Sequence, residues 1–411
     1  MTDPVGQERL YHELRVNPHR LNLGRIGFIF EGKELSAAQI GDIEQILDLW
    51  SGELQSSFLY RAFPVQVLTL CHPKEDILGI RIQSPLLAQG SLKVQLSFPY
   101  GSHEMDASDW RSEDRHETRV LGEAEKTKAS LLRILDEDRY YVNVSVNEGE
   151  HSSIERRGRH RFEIVACGPV LEIVIRFSPE EIREGLPPFR EIQKASRRSW
   201  EEFWSSGGAV ELADSKDPRA LELERRIVLS RYLTAIQCAG SYPPAETGLT
   251  CNSWYGKFHL EMHYWHAAHF IPWGKPALFE RSFGWYRSIL ESARRRAEEQ
   301  GYAGARWPKM TDPSGRDSPS PIGPLLCWQQ PHPIMYAELL RRAYPERPIR
   351  TEYAEIVAAT AEFMASFPQW NESKQRFELG PPLIPVQENH RPEQTLNPPF
   401  ELEYWRWGLS T

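Results

Sequence analysis

Between residues 21 and 178 apolar and polar residues alternate in short runs, among them 26–30, 65–70, 92–98, 141–146 and 171–177. Period-two alternation sends successive side chains to opposite faces, so each run predicts a strand with one buried face. Turn-rich stretches at 99–102 and 148–150 separate the runs, which predicts antiparallel sheets stacked as a β-sandwich. The charged stretch 110–128 predicts a surface excursion.

After Pro187 and Pro188 the period changes. Residues 189–204 predict a helix that stops at Ser205, Ser206, Gly207 and Gly208, and that links two domains. Residues 217–239 are apolar on a wide face (Val228, Leu229, Tyr232, Leu233, Ala235, Ile236), as expected of a helix buried among helices. Two helical stripes follow: Phe279, Phe283, Tyr286, Leu290, Ala293 and Ala297, then Tyr353, Ile356, Val357, Thr360, Phe363, Met364 and Phe367. No strand pattern is left here. The loops at 240–254, 307–330 and 379–399 are long for a compact domain, which favours a functional role at one end of a toroid of helical hairpins.

Size supports the division, because 411 residues exceed what a single core usually serves. The predicted boundaries are 1–186 for the sheet domain, 187–214 for the linker helix and connection, and 215–411 for the helical domain. The formal net charge of −8, with both signs interspersed, argues against a nucleic-acid partner and suits a neutral substrate. Residues 1–20 contain no apolar signal-peptide core, and no run of about 18 apolar residues occurs, so neither a signal peptide nor a membrane span is expected in the chain. Cys71, Cys167, Cys238, Cys251 and Cys327 are widely spaced and odd in number, which predicts buried thiols without a disulfide framework.

Three clusters carry candidate chemistry. The first, 254–266, offers Trp254, Lys257, His259, Glu261 and Trp265. A sugar pocket needs flat aromatic faces for ring C–H groups and fixed polar partners for hydroxyls, and these residues supply both. His259, His263 and His266 fall at i, i+4, i+7 and raise a metal reading, but H-x-E-x-H is not the H-E-x-x-H of a zinc helix, so no metal is expected. The second cluster supplies Trp307 and Lys309, then Trp328, Gln329, Gln330 and His332 before a helix near Pro333, where unpaired backbone N–H groups welcome polar ligands. The third, 380–390, sets Glu388 in an apolar segment. Desolvation there would disfavour its ionised form, as a general acid near neutral pH requires.

In order, 255–261, 301–308 and 380–388 resemble the motifs of glycoside hydrolase family 65 and its relatives among the six-hairpin glycosidases. The resemblance implies a β-sandwich, a linker helix and an (α/α)6 barrel. It puts Glu261 where the family has a sugar-binding aspartate and Glu388 on its general acid. Leu260, Lys309 and Gln387 depart from the pattern, replacing a tryptophan, an aromatic and an aspartate. It also implies an oligosaccharide substrate, no cofactor, and inverting hydrolysis with a water-activating carboxylate beyond Thr411. Phosphorolysis and sugar binding without turnover are the alternatives. A twelve-helix barrel needs about 350 residues, so a truncated barrel is expected. The fragment would then come from a longer exported protein, periplasmic or secreted.

Overall fold

The computed structural model describes residues 4–122, 125–147, 152–166 and 168–411. The expected turn at 148–150 and Cys167 lie outside these residues. Contacts divide the chain into two units, one of residues 21–102 and 107–206 and the other of residues 1–20, 103–106 and 207–411. This differs from the 1–186, 187–214, 215–411 division. The first twenty residues and the short stretch 103–106 group with the helices, and the helix predicted as a linker groups with the sheets.

In the sheet unit, the alternating runs form two antiparallel sheets. The smaller has five strands in the spatial order Ser153–Arg156, Arg161–Val165, Leu92–Ser97, Arg25–Phe30 and Lys33–Glu34. The larger has eight, with Lys128–Leu135, Asp138–Val146, Val170–Ser178 and Ile77–Gln83 in its middle and Ile40–Asp48 at one edge. Phe30, Val94, Leu96 and Ile164 of the first sheet share one core with Val65, Ile82, Val142, Ile173 and Ile175 of the second. Each of these is 3% exposed or less, which accounts for the strictness of the alternation. The charged stretch 110–128 is not wholly an excursion. His116–Leu121 pairs with Lys128–Leu135 as the other edge strand, a position where charged outward side chains are tolerated and discourage further pairing.

The helix Phe189–Ser205 packs within this unit. Phe189 and Ile192 join Leu70, Ile77 and Val174 in a small core, and Arg197 grips buried Glu53 at 2.7 and 3.0 Å.

The helical unit is built mainly on Ala220–Cys238, Pro276–Phe283, Leu290–Glu299, His332–Ala343, Ala354–Ser366 and Pro399–Ser410. Phe279, Phe283, Tyr286, Leu290 and Ala293 bury the first stripe with Tyr336, Leu340 and Ile356. Met364 and Phe363 pack with Trp405 and Leu383 in a second core. The helix Ala220–Cys238 departs from expectation, since Leu233 and Ile236 are exposed. Its apolar residues are spread around the axis, so one side must face outward. Two-residue strands also occur here. Phe258–His259 pairs with Met310–Thr311, a contact between clusters that no periodicity announces. Of the described thiols, Cys238 and Cys327 are buried as expected, whereas Cys71 is exposed and Cys251 half-buried. No described helix is long and apolar enough to cross a membrane.

Candidate functional site

The ribbon Phe258–His259 with Met310–Thr311 assembles the candidate site, all of it within the helical unit. Its pairing continues through a hydrogen bond from Leu260 N to Lys309 O of 2.8 Å, which sets Glu261 and Lys309 side by side. Lys309 Nζ donates to Glu261 Oε1, and lies 3.5 Å from Glu388 Oε1. His259 Nδ1 is 3.1 Å from Glu246 Oε2 and 3.8 Å from Glu261 Oε1. The result is a continuous row of alternating charge and imidazole: Glu246, His259, Glu261, Lys309, Glu388.

Two atoms of this row are buried without a partner, Glu261 Oε2 and His259 Nε2. Each such atom costs free energy until something bonds to it, so both are positions where a ligand hydroxyl would be stabilised. Trp254 stands beside them, 46% exposed, with its ring 5.9 Å from that of His259. Its backbone and that of Tyr255 are left-handed (φ 48° and 61°), which turns the chain sharply and leaves the indole outward. The N-terminal segment buttresses this turn. Arg15 lies 5.2 Å from the Trp254 ring centroid, and Arg20 donates to Gly248 O and Cys251 O.

His332 fixes the backbone beneath. Burial pulls its imidazole down to about 4, so it is neutral at physiological pH. Nε2 donates to Glu261 O at 3.1 Å, which leaves Nδ1 to accept from the Tyr404 hydroxyl at 2.8 Å. It holds Glu261 without facing a ligand.

The other predicted residues divide. Lys257 is buried and spends its ammonium on Asn17 O at 2.7 Å; desolvation pulls it down to about 8. Trp307 is core, its Nε1 donating to Thr360 Oγ1 at 2.9 Å. Gln330 is spent on the Trp307 backbone, accepting from N at 2.9 Å and donating to O at 2.7 Å. Gln329 donates to Trp307 O at 3.2 Å, but its Oε1 is buried without a partner, and it lines a cavity of about 110 Å³ with Trp307 and Lys309. Trp328 is buried against Leu326 and Ile384, its Nε1 likewise unpartnered. Trp265 is 63% exposed on the short helix His263–Ala267.

Two expectations are corrected. Glu388 is not desolvated: its side chain is 40% exposed, on a turn with φ 56° closed by Glu388 N to Pro385 O at 2.8 Å. The apolar residues before it, Leu383, Ile384 and Pro385, turn inward and leave Gln387 and Glu388 on the tip. The three histidines do not share a helical face either, because His259 is in the ribbon and the helix begins at His263. His263 is enclosed, with Ser282 Oγ at 2.9 Å and Tyr286 Oη at 3.2 Å.

Sequence reasoning missed Glu246, Arg15 and Asn17. Glu246 stands alone in a loop, and the others act across long separations, so no local pattern marked them. A hollow in the sheet unit, about 430 Å³ and lined by Glu44, Gln55, Gln66, Arg81 and Gln83, contains none of the predicted residues.

The chain is similar to a candidate kojibiose phosphorylase from the human microbiome, with a TM-score of 0.66 at 13% identity over 88% of this chain and 52% of that one. It is also similar to a bacterial glucoamylase solved with acarbose, with a TM-score of 0.51 at 12% identity over 84% of this chain and 53% of that one. The chain thus spans about half the length of each, and at these identities the likeness is one of fold. No known family profile matches the chain, and no curated protein matches it in sequence.

Proposed function

We propose that this chain is part of a carbohydrate-active enzyme related to glycoside hydrolase family 65, in which the sheet unit is a β-sandwich and the helical unit belongs to an (α/α)6 barrel. The reaction proposed is inverting hydrolysis of an oligosaccharide, with Glu388 protonating the leaving oxygen. The observation that carries it is the row in which Lys309 joins buried Glu261, with one oxygen unpartnered, to Glu388. A ring lying on Trp254 would bond Glu261 Oε2 and His259 Nε2 with its hydroxyls after a side-chain shift that uncovers these two buried atoms. It would also supply the dry surroundings that a proton donor needs and that the exposed turn lacks.

Phosphorolysis uses the same acid with phosphate in place of activated water, and the fold likeness to a candidate phosphorylase supports it equally. A second reading, carbohydrate binding without turnover, is favoured by the exposure of Glu388 and by an ammonium standing between the two carboxylates.

Assaying the whole enzyme of which this chain is part, and its Glu388→Gln variant, against a disaccharide panel, with and without inorganic phosphate, decides among these. The proposed role predicts turnover that falls about a hundredfold or more in the variant. Dependence on phosphate marks a phosphorylase. Unchanged turnover in the variant removes Glu388 from the mechanism, and sugar binding with no turnover in either protein supports the second reading.

A further inference from the structure

Glu401 is the most enclosed carboxyl near the candidate site, at 0% exposure, and no step of the proposed reaction uses it. It lies in the first turn of the helix Pro399–Ser410, which Trp405 anchors through Nε1 to Cys327 O at 3.1 Å. Its Oε1 accepts from Val386 N at 2.7 Å, and its Oε2 has no partner. Burial pushes this carboxyl above its ordinary value, and the Val386 N–H opposes that shift by favouring the ionised form.

Val386 is two residues before Glu388, and what secures it decides where the turn stands. The segment is tied before this point by Ile384 N to Leu325 O at 2.9 Å and by Leu383 N to Pro392 O at 3.1 Å. Beyond it, Gln387, Glu388, Asn389 and His390 are exposed. The part-buried hydrogen bond from Val386 to Glu401 is therefore the last anchor to another element before the turn that carries Glu388. Burying a carboxyl with one oxygen unpaired is costly, and an apolar residue would fill the space at less cost, so a need to hold Val386 N explains why an acid is there.

We infer that Glu401 is a positioning residue: its buried carboxyl fixes Val386 N and thereby sets Glu388 beside Lys309. The role proposed for Glu388 gives this placement its purpose, but the placement can be measured without turnover.

A zero-length carbodiimide joins a lysine to a carboxylate only when the two are in contact, and Lys309 touches both Glu261 and Glu388. In the full chain, peptide mapping by mass spectrometry should find the Lys309–Glu388 link, with the exposed Lys128–Glu125 pair as internal reference. In Glu401→Leu, the Lys309–Glu388 product should fall about tenfold relative to Lys128–Glu125, as loss of a hydrogen bond of this kind would allow. Glu401→Gln keeps an acceptor for Val386 N and should restore the ratio. Should Glu401→Leu fail to fold, Val386→Pro removes the same hydrogen bond from the loop side and should lower the ratio likewise. An unchanged ratio in the folded Leu or Pro variant overturns the inference, as does a Gln variant that behaves like Leu. Absence of turnover in the disaccharide assay would count against the enzymatic reading and leave the cross-link result standing.

Discussion

Lys309 and Glu261 form an ion pair that is nearly shut off from water, with side chains 13% and 4% exposed. Removing one partner leaves the other charge buried and uncompensated, which costs more than the pair itself contributes. Lys309→Met should therefore destabilise the helical unit by about 3 kcal/mol in urea unfolding. Adding Glu261→Gln should recover much of that loss. Additive losses would show that the two side chains are not coupled.

Acid should loosen the fold as its buried neutral histidines take up protons. Burial holds His332 and His116 down to about 4 and His263 to about 3, whereas the unfolded chain protonates histidine near 6.5. Between these values the unfolded state binds more protons, so this stabilisation is complete above about 6.5 and is lost as pH falls toward 4, the His263 share last. The thermal midpoint should drop steadily from pH 7 to pH 4, and His332→Gln should make the slope shallower. A midpoint flat over that range would contradict the buried neutral imidazoles.

Two glycines in the motif 301–308 should respond differently to alanine. Both are left-handed, with φ of 82° at Gly301 and 74° at Gly304. A methyl at Gly301 meets nothing within 4 Å, but at Gly304 it would stand 2.3 Å from both Ala359 O and Phe363 N. Gly301→Ala should cost about 1 kcal/mol from backbone strain alone, and Gly304→Ala at least about 2 kcal/mol, because backbone cannot move aside. Equal losses would mean that the loop at Gly304 does not approach the Ala354–Ser366 helix so closely.

Deleting residues 1–20 should loosen the turn that presents Trp254. That segment supplies Asn17 O to Lys257 and the Arg20 guanidinium to Gly248 O and Cys251 O. Hydrogen exchange at 248–257 should quicken in the shortened chain while the Ala354–Ser366 helix keeps its protection. Unaltered exchange at the turn would show that the N-terminal segment is dispensable there.

Much of the fold is legible in the sequence, because burial enforces periodicity. Val142 and Val144 alternate with the less buried Tyr141 and Asn143 and lie in a strand, and Phe279, Phe283 and Tyr286 recur at helical spacing and lie in a core. Edge strands were harder to read. His116–Leu121 buries little, so charge hid its pattern. In the site, Glu261 and Lys309 were each singled out, but their contact depends on a two-residue ribbon between segments about fifty residues apart, which carries no period. Glu388 illustrates the reverse error. Its neighbours in sequence are apolar, yet they pack inward and leave it exposed, so local composition did not report its surroundings.

A crystal structure of the chain with a bound disaccharide tests the central claim most directly. A sugar ring should lie against Trp254, with hydroxyls within hydrogen-bonding distance of Glu261 Oε2 and His259 Nε2 and a glycosidic oxygen facing Glu388. A ring bound instead in the hollow of the eight-stranded sheet, among Gln55, Gln66 and Arg81, would contradict it.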